Sequence, residues 1–274
     1  MVEMTGLIRL FEFPRIQFEL SEFIIALPRY RIIAFRSGSF AAMQLPTLEE
    51  LRTGAVILVD KPLRWTSFDA VNRLRRPLGK GGKIGHAGTL DPLATGLLIC
   101  CTGAFTKRIE TFQKQPKEYT GIIHLGAVTP TYDLESEPED FKPVEHLTLE
   151  AVQTAANGFV GNILQKPPAH SAIKKGGQRA YEIARKGGDP KLEPRPVTIT
   201  AFDILKLDGA EAHFRVACST GTYIRSLAHD IGQVLGCGGY LQELRRTLIG
   251  EFSVDNAPTM EQWIEHFATI SPAP

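Results

Sequence analysis

Cysteine is scarce: Cys100, Cys101, Cys218 and Cys237 are the only four in 274 residues, and no two stand in a C-x-x-C pair. That spacing argues against a zinc ribbon or a dithiol redox motif. The adjacent Cys100 and Cys101 sit in an apolar run and read as buried strand, with reduced thiols as expected of a cytoplasmic chain. Long apolar runs are also missing; nothing approaches the roughly 20 residues that cross a bilayer, so no membrane partner is expected. Neither sign of charge dominates, with 31 Lys and Arg against 30 Asp and Glu. Bulk charge therefore names no partner, although a neutral total can hide local basic patches. No His/Cys/Asp/Glu group has metal-ligand spacing, so no metal is expected. Internal repeats and low-complexity tracts are absent as well.

What is present is an ordinary globular composition, 43% hydrophobic and 22% charged. Residues 1–46 stand apart. Arg9, Arg15, Arg29, Arg31 and Arg36 alternate with apolar residues, but Glu3, Glu12, Glu19 and Glu22 and the shortness of Phe23–Leu27 argue against a targeting peptide. This stretch is read as a poorly ordered extension or a mis-called start, with Met43 as the native first residue. From Gly54 the texture changes. Ala55–Val59 reads as a buried strand, and Thr66 or Ser67 caps a helix with Phe68, Val71 and Leu74 on one face. Gly79–Gly88 is a glycine-rich loop carrying Lys80, Lys83 and His86. It has the look of a phosphate cradle, yet no Lys is followed by Ser or Thr in the frame of a P-loop. Gly96–Cys101, Tyr119–Val128, Val197–Leu207 and Ala212–Cys218 read as strands. Phe105–Phe112, the run after Thr148 (Leu149, Val152, Ala156, Phe159), Tyr181–Lys186 and Tyr223–Leu235 read as helices. Strands and helices mix without a regular βαβ beat, so the fold class is α+β.

Four segments carry the chemistry. Gly85-His86-Ala87-Gly88-Thr89-Leu90-Asp91-Pro92-Leu93-Ala94-Thr95-Gly96 resembles the catalytic motif of the TruB family of tRNA pseudouridine synthases. Lys61-Pro62 with Thr66-Ser67 resembles that family's N-terminal signature. Lys117-Glu118-Tyr119, then Leu125-Gly126, Thr129, Thr131 and Asp133, resembles the strand bearing its active-site tyrosine. Gly221-Thr222-Tyr223-Ile224-Arg225, with Leu244-Arg245-Arg246-Thr247 beyond, resembles its C-terminal motif. A fifth block runs from Gln165 through Pro167-Pro168, Ser171-Ala172 and Lys174 to Tyr181-Glu182 and Ala184-Arg185. The blocks are collinear from about Val56 to Phe252. Arg64 and Ser136 depart from the family's glycines, and Thr220 stands where a lysine is common.

The resemblance implies a pseudouridine synthase fold: a central mixed or antiparallel sheet flanked by helices, with an RNA-binding cleft. It places the catalytic domain at 54–253 and leaves 254–274 as a short tail with no PUA domain. It implies conversion of a uridine in the T arm of tRNA, position 55, by a monomer. That reaction only moves the base from N1 to C5, so no cofactor is required. Asp91 is the expected nucleophile toward a flipped-out uridine, with Arg225 beside it to hold its charge and Tyr119 to stack on the base and, by the resemblance, to take the proton from the sugar or C5. Tyr223 and Leu244 are expected to wall the pocket, His86 to fill the space the uridine leaves, and Lys61 to join them in substrate binding. Gly85, Gly88 and Gly96 are expected to let the backbone approach RNA. Arg73, Arg75, Arg76, Lys80 and Lys83, and separately Lys174, Lys175, Arg179 and Arg185, form two basic runs. Two other readings stay open at this level. An N-glycosylase would need water and commonly a second carboxylate, and a non-catalytic RNA binder would not need Asp91.

Overall fold

The computed structural model describes residues 45–270, and the expectation for residues 1–44 lies outside them. The elements run α1 (Leu48–Thr53), β1 (Val56–Lys61), α2 (Ser67–Arg75), β2 (Ile84–His86), β3 (Ala94–Thr102), α3 (Ile109–Gln113), β4 (Lys117–Leu125), α4 (Leu149–Asn157) and β5 (Gly161–Gln165). There follow β6 (Lys174–Lys175), β7 (Gln178–Arg179), α5 (Ala180–Arg185), β8 (Arg195–Asp208), β9 (Glu211–Cys218), α6 (Ile224–Val234), β10 (Gly239–Ile249), β11 (Phe252–Ser253) and α7 (Met260–Ile270). One mixed sheet has the order β1-β3-β10-β4-β9-β8-β5, with β2 paired to β3 and β11 to β10. Every pairing is antiparallel except β3 with β10, where Ala94, Thr95 and Gly96 lie beside Leu244, Arg245 and Arg246. The α+β class and a mixed sheet flanked by helices are as the sequence led us to expect.

The local reasons are legible. Thr66 caps α2 and forms a capping box with Asp69, each side chain accepting from the other's backbone N–H at 3.0 and 2.9 Å. The buried face of that helix is Ser67, Ala70, Val71 and Leu74, an i, i+3, i+4, i+7 stripe, while Phe68 points away and is 62% exposed. Phe68 was expected inside. Leu149, also expected to face inward, is largely exposed on α4, whose buried residues are Val152 and Ala156.

Three apolar clusters share the core. One packs α4 and α6 on the β4–β9–β8 face, a second packs α1, α2 and α7 on β1 and β3, and a third lies under β11 on the sheet's other face. The second cluster corrects the expected tail. Residues 260–270 form a helix whose Met260, Trp263 and Phe267 are buried, and the Trp263 indole N–H donates to the Leu58 carbonyl at 3.0 Å. The packed unit therefore extends beyond 54–253 at both ends, since α1 also closes on it through Leu51.

Candidate active site

The cleft is built where β3 and β10 run parallel, because the loop entering β3 carries Asp91. That loop is held from three sides. Ser67 Oγ accepts from the Leu90 N–H at 2.8 Å and donates to the Leu90 carbonyl at 3.2 Å. The Arg64 N–H donates to the Pro92 carbonyl at 2.8 Å. Arg246, only 1% exposed, donates from Nε to the Leu97 carbonyl at 2.7 Å, from Nη2 to Gly88 at 3.1 Å and from Nη1 to Thr89 at 3.4 Å. One buried guanidinium thus gathers three carbonyls around the motif, using one hydrogen on each of its three nitrogens.

Gly96 permits the close strand approach that this needs. Its φ is +100°, and a Cβ there would lie 2.3 Å from the Arg246 carbonyl oxygen. The glycine serves packing of β3 on β10, rather than the approach of RNA expected for it. Gly85 likewise faces the interior, against the Ile109 side chain, whereas Gly88 at φ +105° leaves room on the cleft side. Arg64 adopts φ +66°, the left-handed region where its family counterpart is glycine.

A second element brings the guanidinium to Asp91. Gln165, buried on β5, clamps Tyr223 at the head of α6: its Oε1 accepts from the Tyr223 N–H at 2.8 Å and its Nε2 donates to the Tyr223 carbonyl at 3.0 Å. In the first turn beyond, Arg225 Nε lies 2.9 Å from Asp91 Oδ2 and 3.5 Å from Asp133 Oδ2. The Nε–H is not aligned for a hydrogen bond to either, so these are ion-pair contacts. The other two nitrogens do donate, Nη1 to the Thr131 carbonyl and Nη2 to the His170 carbonyl, each at 3.1 Å. The Arg225 side chain is 7% exposed and that of Asp91 38%. The cation is therefore buried, while the carboxylate opens on the cleft.

The cleft encloses about 520 Å³ and is lined by Asp91, Tyr119, Tyr223, Arg225 and Leu244, among others. Five of the seven expected site residues come together there. Tyr119, on β4 opposite Arg246, is 7% exposed; burial raises its phenol above the usual range, and the neighbouring Arg246 opposes that shift. Tyr223 is raised by burial too, opposed by the nearby Ser171 hydroxyl and the Arg225 charge. Neither ring is a standing phenolate.

The other two lie apart. His86 sits on the edge strand β2 across from Cys100, partly buried, with Nδ1 unpartnered and its imidazole pKa lowered by burial; it does not line the cleft. Lys61 was expected to bind substrate, and the structure corrects this. It is wholly buried, and its Nζ donates to the Pro62 carbonyl at 2.9 Å and the Trp65 carbonyl at 2.6 Å, bracing the turn that leads into α2. Burial pulls its pKa down to about 8, with Asp91 the main opposing charge.

Sequence reasoning placed Arg246, Asp133 and Gln165 in motifs without giving them a role, and gave Ser67 only that of a possible helix cap. A clue existed for one: an Arg-Arg pair inside an apolar strand marks at least one cation that must be buried and paired. Glu135 and His170 also line the cleft, and burial together with Asp133 raises the Glu135 carboxyl. The site thus holds more carboxylates than the single one expected. Of the departures from family pattern, Ser136 Oγ accepts from the Thr131 N–H at 3.1 Å, and Thr220 Oγ1 donates to the Gln113 carbonyl at 2.8 Å on the cleft wall. Among the described residues no group of His, Cys, Asp and Glu could hold a metal ion.

Residues 75–224 match the family model described as TruB family pseudouridylate synthase (N terminal domain). Residues 225–270 match that of the tRNA pseudouridylate synthase B C-terminal domain. The tRNA pseudouridine synthase B of Flavobacterium johnsoniae is 52% identical over 217 residues, covering 77% of this chain and 95% of that one. Its counterpart in Phocaeicola vulgatus is 48% identical over 219 residues, covering 78% and 93%. Among solved structures, an archaeal box H/ACA sRNP Nop10–Cbf5 complex matches with a TM-score of 0.58 and 28% identity. A Cbf5–Nop10–Gar1 complex matches at 0.60 and 27%. This chain spans just over half of each of those solved chains, 54% and 58%.

Proposed function

This chain belongs to the TruB family of pseudouridylate synthases, and on that footing we propose that it isomerises a uridine in the T arm of tRNA, position 55, with Asp91 as nucleophile. It is a tRNA pseudouridine synthase by the names of relatives that share about half its residues over most of its length. The observation that carries the residue assignment is the Asp91–Arg225 pair, an open carboxylate against a buried guanidinium at 2.9 Å.

The reaction breaks the bond from uracil N1 to ribose C1′, makes one from C5 to C1′, and moves one proton from C5 to N1. Nothing is gained or lost. A nucleophile must therefore be held ready and released again, and the base must be kept while detached. Asp91 supplies the carboxylate oxygen, and Arg225 keeps a cation beside it throughout. Arg225 is in turn fixed by two carbonyls and by Asp133, so that its position costs no reorganisation when charge on Asp91 changes. Tyr119 offers its ring to the flipped uracil. Stacking is worth roughly 1–3 kcal/mol per base, comparable with the few kcal/mol that flipping costs. Because burial disfavours its phenolate, Tyr119 acts as a platform and a neutral hydrogen-bonding group rather than a preformed base. Tyr223 and Leu244 close the sides.

The chain acts as a monomer in the cytoplasm; four free, buried thiols suit a reducing compartment. The test is pseudouridine mapping of cellular tRNA with and without the gene. We expect one T-arm site to revert to uridine on deletion and to be restored by the wild-type gene. An unchanged map refutes the proposal.

A further inference from the structure

The cleft holds cations but offers few of them to RNA. Arg225 is spent on Asp91, Asp133 and two carbonyls, and Arg246 on three carbonyls. Lys117 is buried, with its Nζ donating to the carbonyls of Gln113 and Gln115 at 2.8 and 2.7 Å. Arg185 lines the mouth, lying over the Tyr181 ring at 5.3 Å. A polyanion that must also be unstacked needs attraction from elsewhere, since contacts with phosphates supply most of the affinity of such complexes.

The loop that precedes β2 has the properties required. A concavity of about 570 Å³ is lined by Arg52, Lys80, Lys83 and Lys107, with Gly79, Gly81 and Gly82 between them and no acidic residue. Among the described residues none of the three lysines forms an ion pair. Arg52 is oriented by its Nε, which donates to the Leu78 carbonyl at 3.2 Å, and its Nη2 lies over Gly79. Its two outer nitrogens thus remain for a ligand, on a side chain already held in place. Gly79 and Gly81 have φ of +77° and +88°, and a Cβ at Gly81 would meet nothing within 4 Å. The Gly79 and Gly82 N–H groups are used within the loop, donating to the Arg76 and Gly79 carbonyls at 3.2 and 3.1 Å, so the pull on an anion comes from the four basic side chains. The chain then enters β2 rather than a helix, and no Ser or Thr follows Lys80 or Lys83, so the frame is not that of a nucleotide triphosphate site.

We propose that the concavity formed by Arg52, Lys80, Lys83 and Lys107 is a second RNA-binding site, which holds backbone phosphates of the tRNA whose uridine occupies the cleft. The proposal rests on the RNA-isomerase reading above. Only four residues separate Lys83 from Gly88 at the cleft wall, with His86 among them, so β2 forms a short bridge from one site to the other.

The test uses the full chain and an unmodified tRNA transcript. Binding is measured in an Asp91→Asn background, and single-turnover rates in the active one. The triple variant Lys80→Glu, Lys83→Glu, Lys107→Glu is expected to bind on the order of tenfold more weakly or worse. The slope of log K against log salt should fall by about 2–3, one unit for each lost contact. The single-turnover rate at saturating tRNA should be unchanged. The corresponding triple glutamine variant, without repulsion, should lose the same slope with a smaller loss of affinity. Affinity and slope both within twofold of the parent, at an unchanged melting temperature, would overturn the proposal. So would a collapse of the saturating rate with binding intact, because the loop would then act on the motif rather than on phosphate. Inorganic phosphate at matched ionic strength should not displace the tRNA; displacement would assign the concavity to free anions instead. If the parent protein makes no pseudouridine in the same transcript, the isomerase reading fails, and that outcome is separate from any change in slope.

Discussion

At the scale of single residues, the site is a problem in holding one carboxylate beside one guanidinium without quenching either. Arg225 is placed by a fork of carbonyls, Thr131 and His170, and by a second carboxylate, Asp133, at 3.5 Å. Asp133 is only 3% exposed, and its Oδ1 accepts from the Glu135 N–H at 3.0 Å, so it cannot itself reach a substrate. Its charge acts on the cleft through Arg225, and through Glu135, whose carboxyl it helps to raise. Asp133→Asn keeps the shape and removes the charge, leaving the guanidinium free to shift toward Asp91. Misplacement of a reacting pair by about 1 Å costs on the order of 10²-fold in rate. We predict a loss of roughly that size in kcat, with KM for tRNA changed less than threefold, measured by steady-state release of label from C5. Of these residues the sequence shows the ones whose type announces chemistry, Asp91, Tyr119 and Arg225, because each stands in a motif. It does not show Lys61 turning inward. A lysine is ordinarily exposed, and its burial here depends on two carbonyls of a turn, Pro62 and Trp65, that only the folded chain supplies.

At the scale of elements, the strands that were missed explain themselves. β10 is the partner of both β3 and β4, yet its pattern does not alternate, because bulges between Leu241 and Glu243 and between Arg246 and Leu248 shift the phase twice. β2 is three residues long within a glycine-rich loop and gains its structure only from β3. α7 was hidden by its position, after an expected end. Two predictions belong here. Trp263→Ala removes a side chain 1% exposed that packs α7 on β1. It should cost about 3–5 kcal/mol in urea unfolding, where a frayed tail would cost nothing. Lys61 bears on pH. Its pKa of about 8 in the fold lies below the ordinary value near 10.5, so between those limits the unfolded chain carries more protons than the native one. Stability attributable to Lys61 therefore rises with pH across that window and is lowest below it. Compared with Lys61→Met, the wild type should gain on going from about pH 7 to about pH 10 in paired urea titrations. A constant difference would show that the ammonium is not burdened by burial.

At the scale of the whole molecule, one mixed sheet brings distant segments to a single cleft. The Asp91 loop enters from β3, Tyr119 from β4, Leu244 and Arg246 from β10, and Arg225 from the helix laid over them. The collinear motifs made this convergence foreseeable through resemblance, though periodicity alone led only to the α+β class. How the sheet closes, with one parallel step at β3 and β10, follows from contacts such as Gly96 against Arg246 that local pattern does not encode. The central claim is that this convergence makes Asp91 the nucleophile toward a uridine of the T arm. The most direct measurement compares the wild-type protein and Asp91→Asn on one unmodified tRNA transcript, with binding followed in parallel with pseudouridine mapped at single-nucleotide resolution. The account predicts one pseudouridine, in the T arm, from the wild type, and none from Asp91→Asn despite tRNA affinity within about threefold, since an amide preserves shape but is not a nucleophile. Pseudouridine formed by Asp91→Asn at the wild-type rate would contradict it.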